Sequence, residues 1–490
     1  MERPNILFLL GESHAPDLLG AAGNPHIKTP NLDRLAARGA LFDTAYCASP
    51  LCVPARAALA TGRFPHESGY WDSSLAYDGR IDSWMKRLRG EGYQTVGIGK
   101  MHFRSDEDDY GFSEFVETMH IAEGRGDLVS ALRHEGAEPN YPGLWDVWTS
   151  RYGAGDDNPY RNYDERIAHE AVNWLTRTAP RCAQPWALSV HFIAAHAPFV
   201  TPQRFFDLYD PREVPPPIRF SKDERPHHPA IDHLRQVVCH EDSLSLEETQ
   251  KLRAAYYATV SYLDHLLGRV LDGLEEAGLA GNTLVLYTSD HGFSLGDHYI
   301  FGLFHLFEES LKVPLIMAGP GVPSGLRLGA PVSHTDLFST ILKAAGGPAR
   351  CEDEGMIAEN LWPLIEGSAA RPRPIFAEYH GTATLSGGYV VREGAIKLIH
   401  FVGMAPQLFD LSCDPHEAKN LAHEPAHQTL LARMTSLLHA FVDPDAVDAQ
   451  AKHDQRRLVE RHGGKEAILQ EMAGFSYSPP PGMSWRNMGG

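Results

Sequence analysis

Several strand-length segments of this chain end in polar residues, and this pattern constrains the fold more than any other feature. Residues 5–10 (NILFLL) form an almost uninterrupted apolar run, typical of a strand buried on both faces, and they lead into Glu12, Ser13 and His14. Residues 94–98, 186–192 and 283–287 repeat the arrangement, and helix-forming segments alternate with them. We therefore predict an α/β fold, a doubly wound and mostly parallel sheet flanked by helices, with the polar ends gathered at one edge.

The segments between these strands predict helices and one long irregular region. Proline at position 30 after Thr29 marks a helix start, and amphipathic helices are predicted around residues 84–88 and over 246–276. Residues 105–165 are polar and irregular, and we interpret them as insertion loops.

A Pro- and Arg-rich stretch at residues 370–374 predicts a domain boundary. Beyond it, strands at 375–378, 388–392 and 395–400 and a helix over 427–441 predict a smaller C-terminal α+β subdomain. The expected division is a catalytic domain (1–374), this subdomain (375–450), and a last part (451–490) with a charged helix at 454–471. Residues 478–490 are rich in Gly and Pro, so this end either frays or lies on another surface, such as an oligomer interface.

Charge and cysteine content exclude several classes of partner. With 44 Lys and Arg against 63 Asp and Glu, the net charge is −19, which argues against nucleic-acid and anionic-membrane partners because both require a basic surface. No apolar run approaches the roughly 20 residues of a membrane helix, and the N-terminus lacks the pattern of a secretory signal. Six irregularly spaced cysteines indicate reduced thiols. We expect a cytoplasmic protein.

The pattern Cys-x-Pro-x-Arg at residues 52–56 opens a predicted helix that ends in Thr61, Gly62 and Arg63. Taken alone, Cys52 fits a buried small apolar residue equally well, because most unpaired cysteines are of that kind. Short motifs also arise by chance. Other motifs along the chain favour a functional role for Cys52 over a purely structural one.

Seven motifs follow one another between residues 12 and 421. They are a strand-end acid (Glu12), the Cys-x-Pro-x-Arg, Gly-Lys-x-His at 99–102, His-x-Pro at 196–198, Asp-His-Gly at 290–292, FEESLKVPL at 307–315 and the LFDL segment beginning at residue 408. In this order they resemble the type I sulfatases of the alkaline phosphatase superfamily, which include the phosphonate monoester hydrolases.

The resemblance implies a nucleophile made from Cys52. In that family a formylglycine-generating or equivalent maturation enzyme oxidises this cysteine to formylglycine (3-oxoalanine). One hydroxyl of the hydrated aldehyde attacks sulfur, and the other collapses to expel sulfate. The resemblance further implies catalytic roles for Arg56, Lys100, His102 and His196. Two alternatives stay open: Arg56 could be an ion-pair residue, and His196 could be a structural histidine.

The resemblance also implies one divalent metal ion, held by Glu12, Asp290 and His291 together with the modified Cys52. Carboxylate oxygens favour Ca²⁺, our first expectation, or Mg²⁺, whereas a histidine ligand favours Mn²⁺. Asp290 could instead cap a turn.

The chain departs from the family pattern at several positions. Glu12 stands where the family has aspartate, and Ser13 replaces a further ligand, for which His14 could compensate. Leu303 replaces a lysine that grips the substrate anion, and His305 or Lys312 could take its place. Ser73 replaces an asparagine. We therefore count five further residues as candidate substrate-binding residues: Ser13, His14, Ser73, His305 and Lys312.

These features predict a metal-dependent hydrolase of small anionic sulfate esters. Phosphonate monoesters or phosphodiesters are the close alternative, because a similar site serves both. Residues 99–103 and 378–380 are most similar to the choline sulfatase branch. Leu303 and Glu12 leave open a non-catalytic anion-binding homologue. We expect a homo-oligomer, either a dimer or a tetramer.

Overall fold

The computed structural model describes residues 3–135, 144–155, 158–239, 243–368, 373–473, 475 and 478–485. In chain order its strands are β1 (Asn5–Gly11), β2 (Ala40–Tyr46), β3 (Gln94–Lys100), β4 (Glu114–Met119), β5 (Tyr152–Ala154), β6 (Trp186–His191), β7 (Phe199–Thr201), β8 (Thr283–Ser289), β9 (Ser294–Leu295), β10 (Phe301–Gly302), β11 (Lys312–Ala318), β12 (Leu326–Leu328), β13 (Val332–Ser333), β14 (Ile375–Tyr379), β15 (Gly388–Glu393), β16 (Ile396–Phe401) and β17 (Gln407–Asp410).

The α-helices connect and cover these strands. They are α1 (Pro30–Ala37), α2 (Cys52–Thr61), α3 (Pro65–Ser68), α4 (Trp84–Gly90), α5 (Leu144–Thr149), α6 (Pro159–Asn173), α7 (Gln203–Phe206), α8 (Pro229–Val238), α9 (Leu246–Glu276), α10 (Glu308–Leu311), α11 (Asp336–Ala344), α12 (Trp362–Ile365), α13 (Gln428–Phe441), α14 (Pro444–Arg461) and α15 (Lys465–Glu471). The long helix α9 begins at a capping box in which Ser245 and Glu248 satisfy each other's backbone N–H groups.

The central sheet has the order β12-β2-β11-β8-β1-β6-β3-β4, and β13 also pairs with β2. Its neighbours from β8 to β4 run parallel, whereas β11 runs antiparallel to both β8 and β2. Helices α1, α6 and α9 pack together on one side, and α2, α4 and α11 form a second group. The predicted doubly wound, mostly parallel sheet is confirmed.

A separate antiparallel sheet, β14-β15-β16-β17, follows the large one, and α13 packs on it. This confirms the smaller C-terminal α+β unit, although its fourth strand was not predicted. The predicted boundary at 370–374 lies mostly outside the described residues, so the three-part division stays a prediction.

Two predicted elements differ from the structure. Residues 105–165 are not simply insertion loops, because β4 adds to the central sheet and α5 and the start of α6 also fall in this range. The sequence did not predict β4, because this strand lies at the sheet edge and is only half-buried, so it lacks the continuous apolar run of a central strand. The charged helix predicted over 454–471 is two helices, since α14 begins at Pro444 and the chain breaks at Gly463 and Gly464, both with positive φ.

The described part of the C-terminal tail lies against this chain's own surface. Phe475 and Trp485 pack in a cluster with Leu128, Val129 and Leu132. This contact gives no argument for a second subunit, so the homo-oligomer stays a prediction. All six cysteines are free thiols. Among the described residues, no helix has both the length and the apolar character required to cross a bilayer.

Candidate active site

The polar residues that follow β1, β3, β6 and β8 meet at one edge of the central sheet. Glu12 follows β1, Lys100 ends β3, His196 lies after β6, and Asp290 and His291 follow β8. The four strands are neighbours and run parallel, so their carboxyl ends lie side by side. Cys52, the first residue of α2, faces this set.

The thiol of Cys52 is 7% exposed, and its Sγ lies 3.2 Å from Nε2 of His291. Nδ1 of His291 lies 2.8 Å from the carbonyl oxygen of Gly292, which can only accept, so Nδ1 carries the hydrogen and Nε2 presents a lone pair toward Cys52. Burial raises the pKa of the Cys52 thiol well above its ordinary value, and the nearby Glu12 and Asp290 carboxylates add to this effect. As a cysteine, this residue is therefore a poor nucleophile.

Two buried carboxylates lie between two buried cations. Arg56 Nε donates to Asp290 Oδ2 at 3.0 Å, and its Nη2 lies 3.8 Å from Glu12 Oε2. Lys100 Nζ donates to Glu12 Oε2 at 2.6 Å. Burial opposes ionisation of Glu12, but Lys100, with His196 and Arg56, lowers its pKa to about 2. The carboxylates are thus held ionised inside the protein.

The side chains here fit one divalent cation. Donor atoms of Glu12, Cys52 and His196 lie within 4.8 Å of one another, as do those of Cys52, Asp290 and His291. The two groups share Cys52 and are buried, and they offer carboxylate oxygens and imidazole nitrogens. In addition, the hydroxyl of Ser13 is buried without a hydrogen-bond partner among the described residues, and the Ser13 N–H donates to Asp290 Oδ1.

His102 and His196 stand at the same site. Nδ1 of His196 lies 2.6 Å from the carbonyl oxygen of Ala197, so its Nε2 also presents a lone pair. Burial lowers the pKa of His196 to about 4. Burial, helped by Lys100 and Arg56, lowers the pKa of His102 well below its usual range. Both rings are therefore neutral near pH 7.

A model of the Sulfatase family matches residues 4–347 of this chain. The chain belongs to the sulfatase family. A second model, described as N-sulphoglucosamine sulphohydrolase, C-terminal, matches residues 296–443. As a member of this family, the protein is a sulfuric ester hydrolase.

Named relatives agree with this membership. A choline-sulfatase of Rhizobium meliloti is 31% identical over 93% of this chain and 90% of its own length. Arylsulfatase K of Danio rerio is 29% identical over 94% of this chain and 88% of its own length. Among solved structures, the phosphonate monoester hydrolase of Agrobacterium radiobacter superposes with a TM-score of 0.74 at 25% identity, covering 92% of this chain and 96% of that one.

The sulfatase pocket above Cys52 has a volume of about 650 Å³ including its open mouth. Lys100, His102 and His196 line it with Cys52, and Ser73 also reaches it. Two of the departures from the family pattern therefore lie at this pocket, because Leu303 lines it as well as Ser73.

Four of the five predicted substrate-binding residues do not line this pocket. Ser13 lies beside Asp290 among the potential metal ligands instead. His14 points away because its Nδ1 lies 2.6 Å from the Tyr287 hydroxyl and its Nε2 lies 2.7 Å from the Leu18 carbonyl oxygen. With both nitrogens engaged, His14 does not compensate for the lost ligand.

His305 and Lys312 are the other two. His305 packs beside Phe307, and its Nδ1 accepts from the Phe307 N–H at 3.3 Å. Lys312 opens β11, where its charge adds to that of Lys397 in lowering the pKa of the buried Glu308. Neither side chain stands in for the lysine that Leu303 replaces.

Sequence reasoning missed most of the pocket wall. The lining residues that were not predicted include Asp127, Trp148, Phe304, Phe475 and Ser478. They come from loops, from the short helix α5 and from the C-terminal tail, where no periodic pattern marks a lining residue. One local signal was Gly302, where a Cβ would lie 2.3 Å from the Trp148 ring, so only glycine lets this loop approach the tryptophan.

Proposed function

We propose that this sulfatase cleaves sulfate esters with a formylglycine nucleophile made from Cys52 and one divalent ion. The observation that carries the proposal is the position of Cys52, whose Sγ belongs to both groups of potential metal ligands. Glu12, Asp290, His291 and Ser13 would hold the ion with the modified residue. When bound, the ion would supply positive charge for the nucleophile and the sulfate oxygens.

The chain's own residues would then divide the remaining tasks. One hydroxyl of the hydrated aldehyde attacks sulfur and the ester S–O bond breaks, which leaves sulfate on residue 52. Loss of the proton from the second hydroxyl re-forms the aldehyde and releases sulfate. Lys100 and His102 bind the sulfate oxygens, and Nε2 of His196, which presents a lone pair, takes up the proton that the hydrated aldehyde loses and passes it to the leaving oxygen.

Arg56 supports this site through the two carboxylates that would hold the metal ion. Its guanidinium hydrogen-bonds Asp290 and lies beside Glu12, so it fixes both carboxylates in place. It also adds positive charge close to the N-terminus of α2, which itself favours an anion at residue 52. Both effects stabilise an alkoxide on the hydrated aldehyde.

A phosphonate monoester or phosphodiester substrate is the second candidate. The likeness to the phosphonate monoester hydrolase of Agrobacterium radiobacter favours it, and a tetrahedral phosphorus anion needs the same charges. Leu303 leaves the pocket one cation short of the family pattern, which also keeps a non-catalytic anion-binding protein as an outcome of the test.

The first test is mass spectrometry of the peptide containing Cys52, after expression with a maturation enzyme. We expect a peptide lighter than the cysteine form by the exchange of thiol for aldehyde.

The same preparation should turn over an aryl sulfate faster than a phenylphosphonate ester. It should lose this activity on dialysis against EDTA and regain it with Ca²⁺, Mn²⁺ or Mg²⁺. A fully unmodified cysteine with no turnover would reject the proposal.

We further propose that the organic half of the substrate carries an ammonium group. Asp127 lines the pocket and makes no ion pair among the described residues, and burial raises the pKa of its carboxyl to about 7. The aromatic residues Trp148, Phe304 and Phe475 share the lining, and aromatic faces attract cations. A choline-sulfatase among the relatives fits this chemistry.

The variant Asp127→Asn tests this subsite. Asp127 Oδ1 accepts from the Val129 N–H at 3.1 Å, and asparagine keeps that acceptor while it removes the charge. We expect the ratio of kcat/KM for choline sulfate to that for its uncharged analogue 3,3-dimethylbutyl sulfate to fall at least about tenfold. The exposed Asp146, on the helix that carries Trp148, gives the control Asp146→Asn. An unchanged ratio in Asp127→Asn would refute the ammonium subsite.

A further inference from the structure

The C-terminal tail forms part of the active-site wall. Phe475 and Ser478 line the pocket together with Cys52 and His102. The tail is held by aromatic packing between Phe475 and Trp485, whose ring centroids are 5.4 Å apart, and by the Tyr160 hydroxyl, which donates to the Ser478 carbonyl oxygen at 3.1 Å. A segment that is distant in sequence is thereby fixed beside the catalytic residues.

The hydroxyl of Ser478 has two partners. The Ala122 N–H donates to Ser478 Oγ at 3.2 Å, and Nε2 of His102 lies 3.1 Å from the same oxygen. Ala122 can only donate, so among the described residues His102 is the acceptor left for the hydroxyl hydrogen. Nε2 of His102 therefore accepts, and in the neutral ring the hydrogen sits on Nδ1.

Nδ1 of His102 is buried and has no hydrogen-bond partner among the described residues. A buried donor without an acceptor is unfavourable, and the ring lines the pocket in which the substrate anion would bind. An incoming sulfate oxygen would supply the missing acceptor. If the tautomer were reversed, a lone pair would occupy this position and would repel the anion.

We propose that Ser478 is a positioning residue that fixes the tautomer of His102, so that Nδ1–H donates to an oxygen of the bound sulfate group. The hydrogen-bond chain runs from the Ala122 N–H through the Ser478 hydroxyl to His102 and ends on the substrate. This inference rests on the proposed function for its catalytic consequence, but it also predicts how the protein binds sulfate ion.

The variant Ser478→Ala removes the hydroxyl and leaves the aromatic contacts of the tail in place. We expect kcat for 4-nitrophenyl sulfate, expressed per formylglycine measured by peptide mass spectrometry, to fall about tenfold, with KM raised by up to about fivefold. Ser478→Thr keeps a hydroxyl and should restore most of kcat. Ser484→Ala, at an exposed serine of the same tail, is the matched control.

Three results would overturn the proposal. One is a wild-type kcat in Ser478→Ala, and another is an equal loss in Ser484→Ala. The third is a loss in Ser478→Ala that is explained entirely by a lower melting temperature or faster proteolysis of the tail, as a merely structural role would give.

Calorimetric titration with inorganic sulfate separates this inference from the proposed function. If the wild type carries unmodified Cys52 and turns over no ester, the proposed function fails, but sulfate binding still tests Ser478. We expect Ser478→Ala to bind sulfate about fivefold more weakly than wild type. Equal affinity of the two proteins would overturn the role of Ser478.

Discussion

A Cys52→Ala protein should fold like the wild type and lose sulfate-ester turnover by a factor of about 10⁴ or more. Alanine fits the helix start, and the small buried thiol leaves little volume unfilled, so the free energy of unfolding should change by only about 1 kcal/mol. The loss of rate follows because residue 52 would provide the atom that attacks sulfur. Steady-state kinetics and thermal denaturation measure the two effects.

Cys47 supplies a matched control, because it is also a buried free thiol and lies five residues earlier. Cys47→Ala should keep wild-type kcat at a similar cost in stability. Cys52→Ser adds a sharper test, since serine can take up the sulfuryl group but has no second hydroxyl with which to expel it. We expect at most one turnover per site, with sulfate retained on the protein. Sustained turnover by either Cys52 variant would contradict the proposed nucleophile.

Removing the charge of Arg56 should have the second-largest effect. Arg56 is 2% exposed and pairs with Asp290 and Glu12, which are fully buried. Arg56→Met would leave these two carboxylates with Lys100 as their nearest remaining cation. We expect the free energy of unfolding to fall by about 3–5 kcal/mol, as it does when one member of a buried ion pair is removed, and kcat to fall about 10²- to 10³-fold.

Chemical denaturation and kinetics at a temperature where the variant is folded measure both changes. Arg56→Lys keeps the charge but cannot donate to Asp290 and to the Lys100 carbonyl oxygen in the same arrangement, so it should recover part of the stability. Arg63, just after the same helix, is more exposed, and Arg63→Met should cost less than about 1 kcal/mol. Similar losses for Arg56→Met and Arg63→Met would show that the buried carboxylates do not depend on Arg56.

The sequence predicted the sheet and the charged residues around Cys52 well because both depend on local patterns. Apolar strands such as β1 and β8 end at Glu12 and Asp290, and parallel neighbours bring such ends together. Cys52 and Arg56 are one helical turn apart, so their shared orientation also follows from the sequence. The positions of the charged side chains around Cys52 thus follow from strand ends and helix turns that the sequence marks.

The pocket wall could not be predicted in this way. Ser478 reaches His102 across 376 positions of sequence, and Asp127 and Trp148 come from segments without periodicity. His14 shows a different limit. A positive φ at Ser13 turns the chain, and the imidazole then meets Tyr287 in the core instead of the pocket. Backbone rotation at a single residue reversed an expectation based on sequence adjacency.

The complete burial of α2 has a consequence for the biosynthesis of this protein. Every residue of Cys52–Thr61 is buried, and Cys52 sits beneath the pocket wall. The proposed maturation enzyme would need access to Cys52, which the packed helix of the folded molecule does not offer. We therefore expect the proposed conversion of Cys52 to precede the packing of α2, so that a molecule that folds first would keep the thiol.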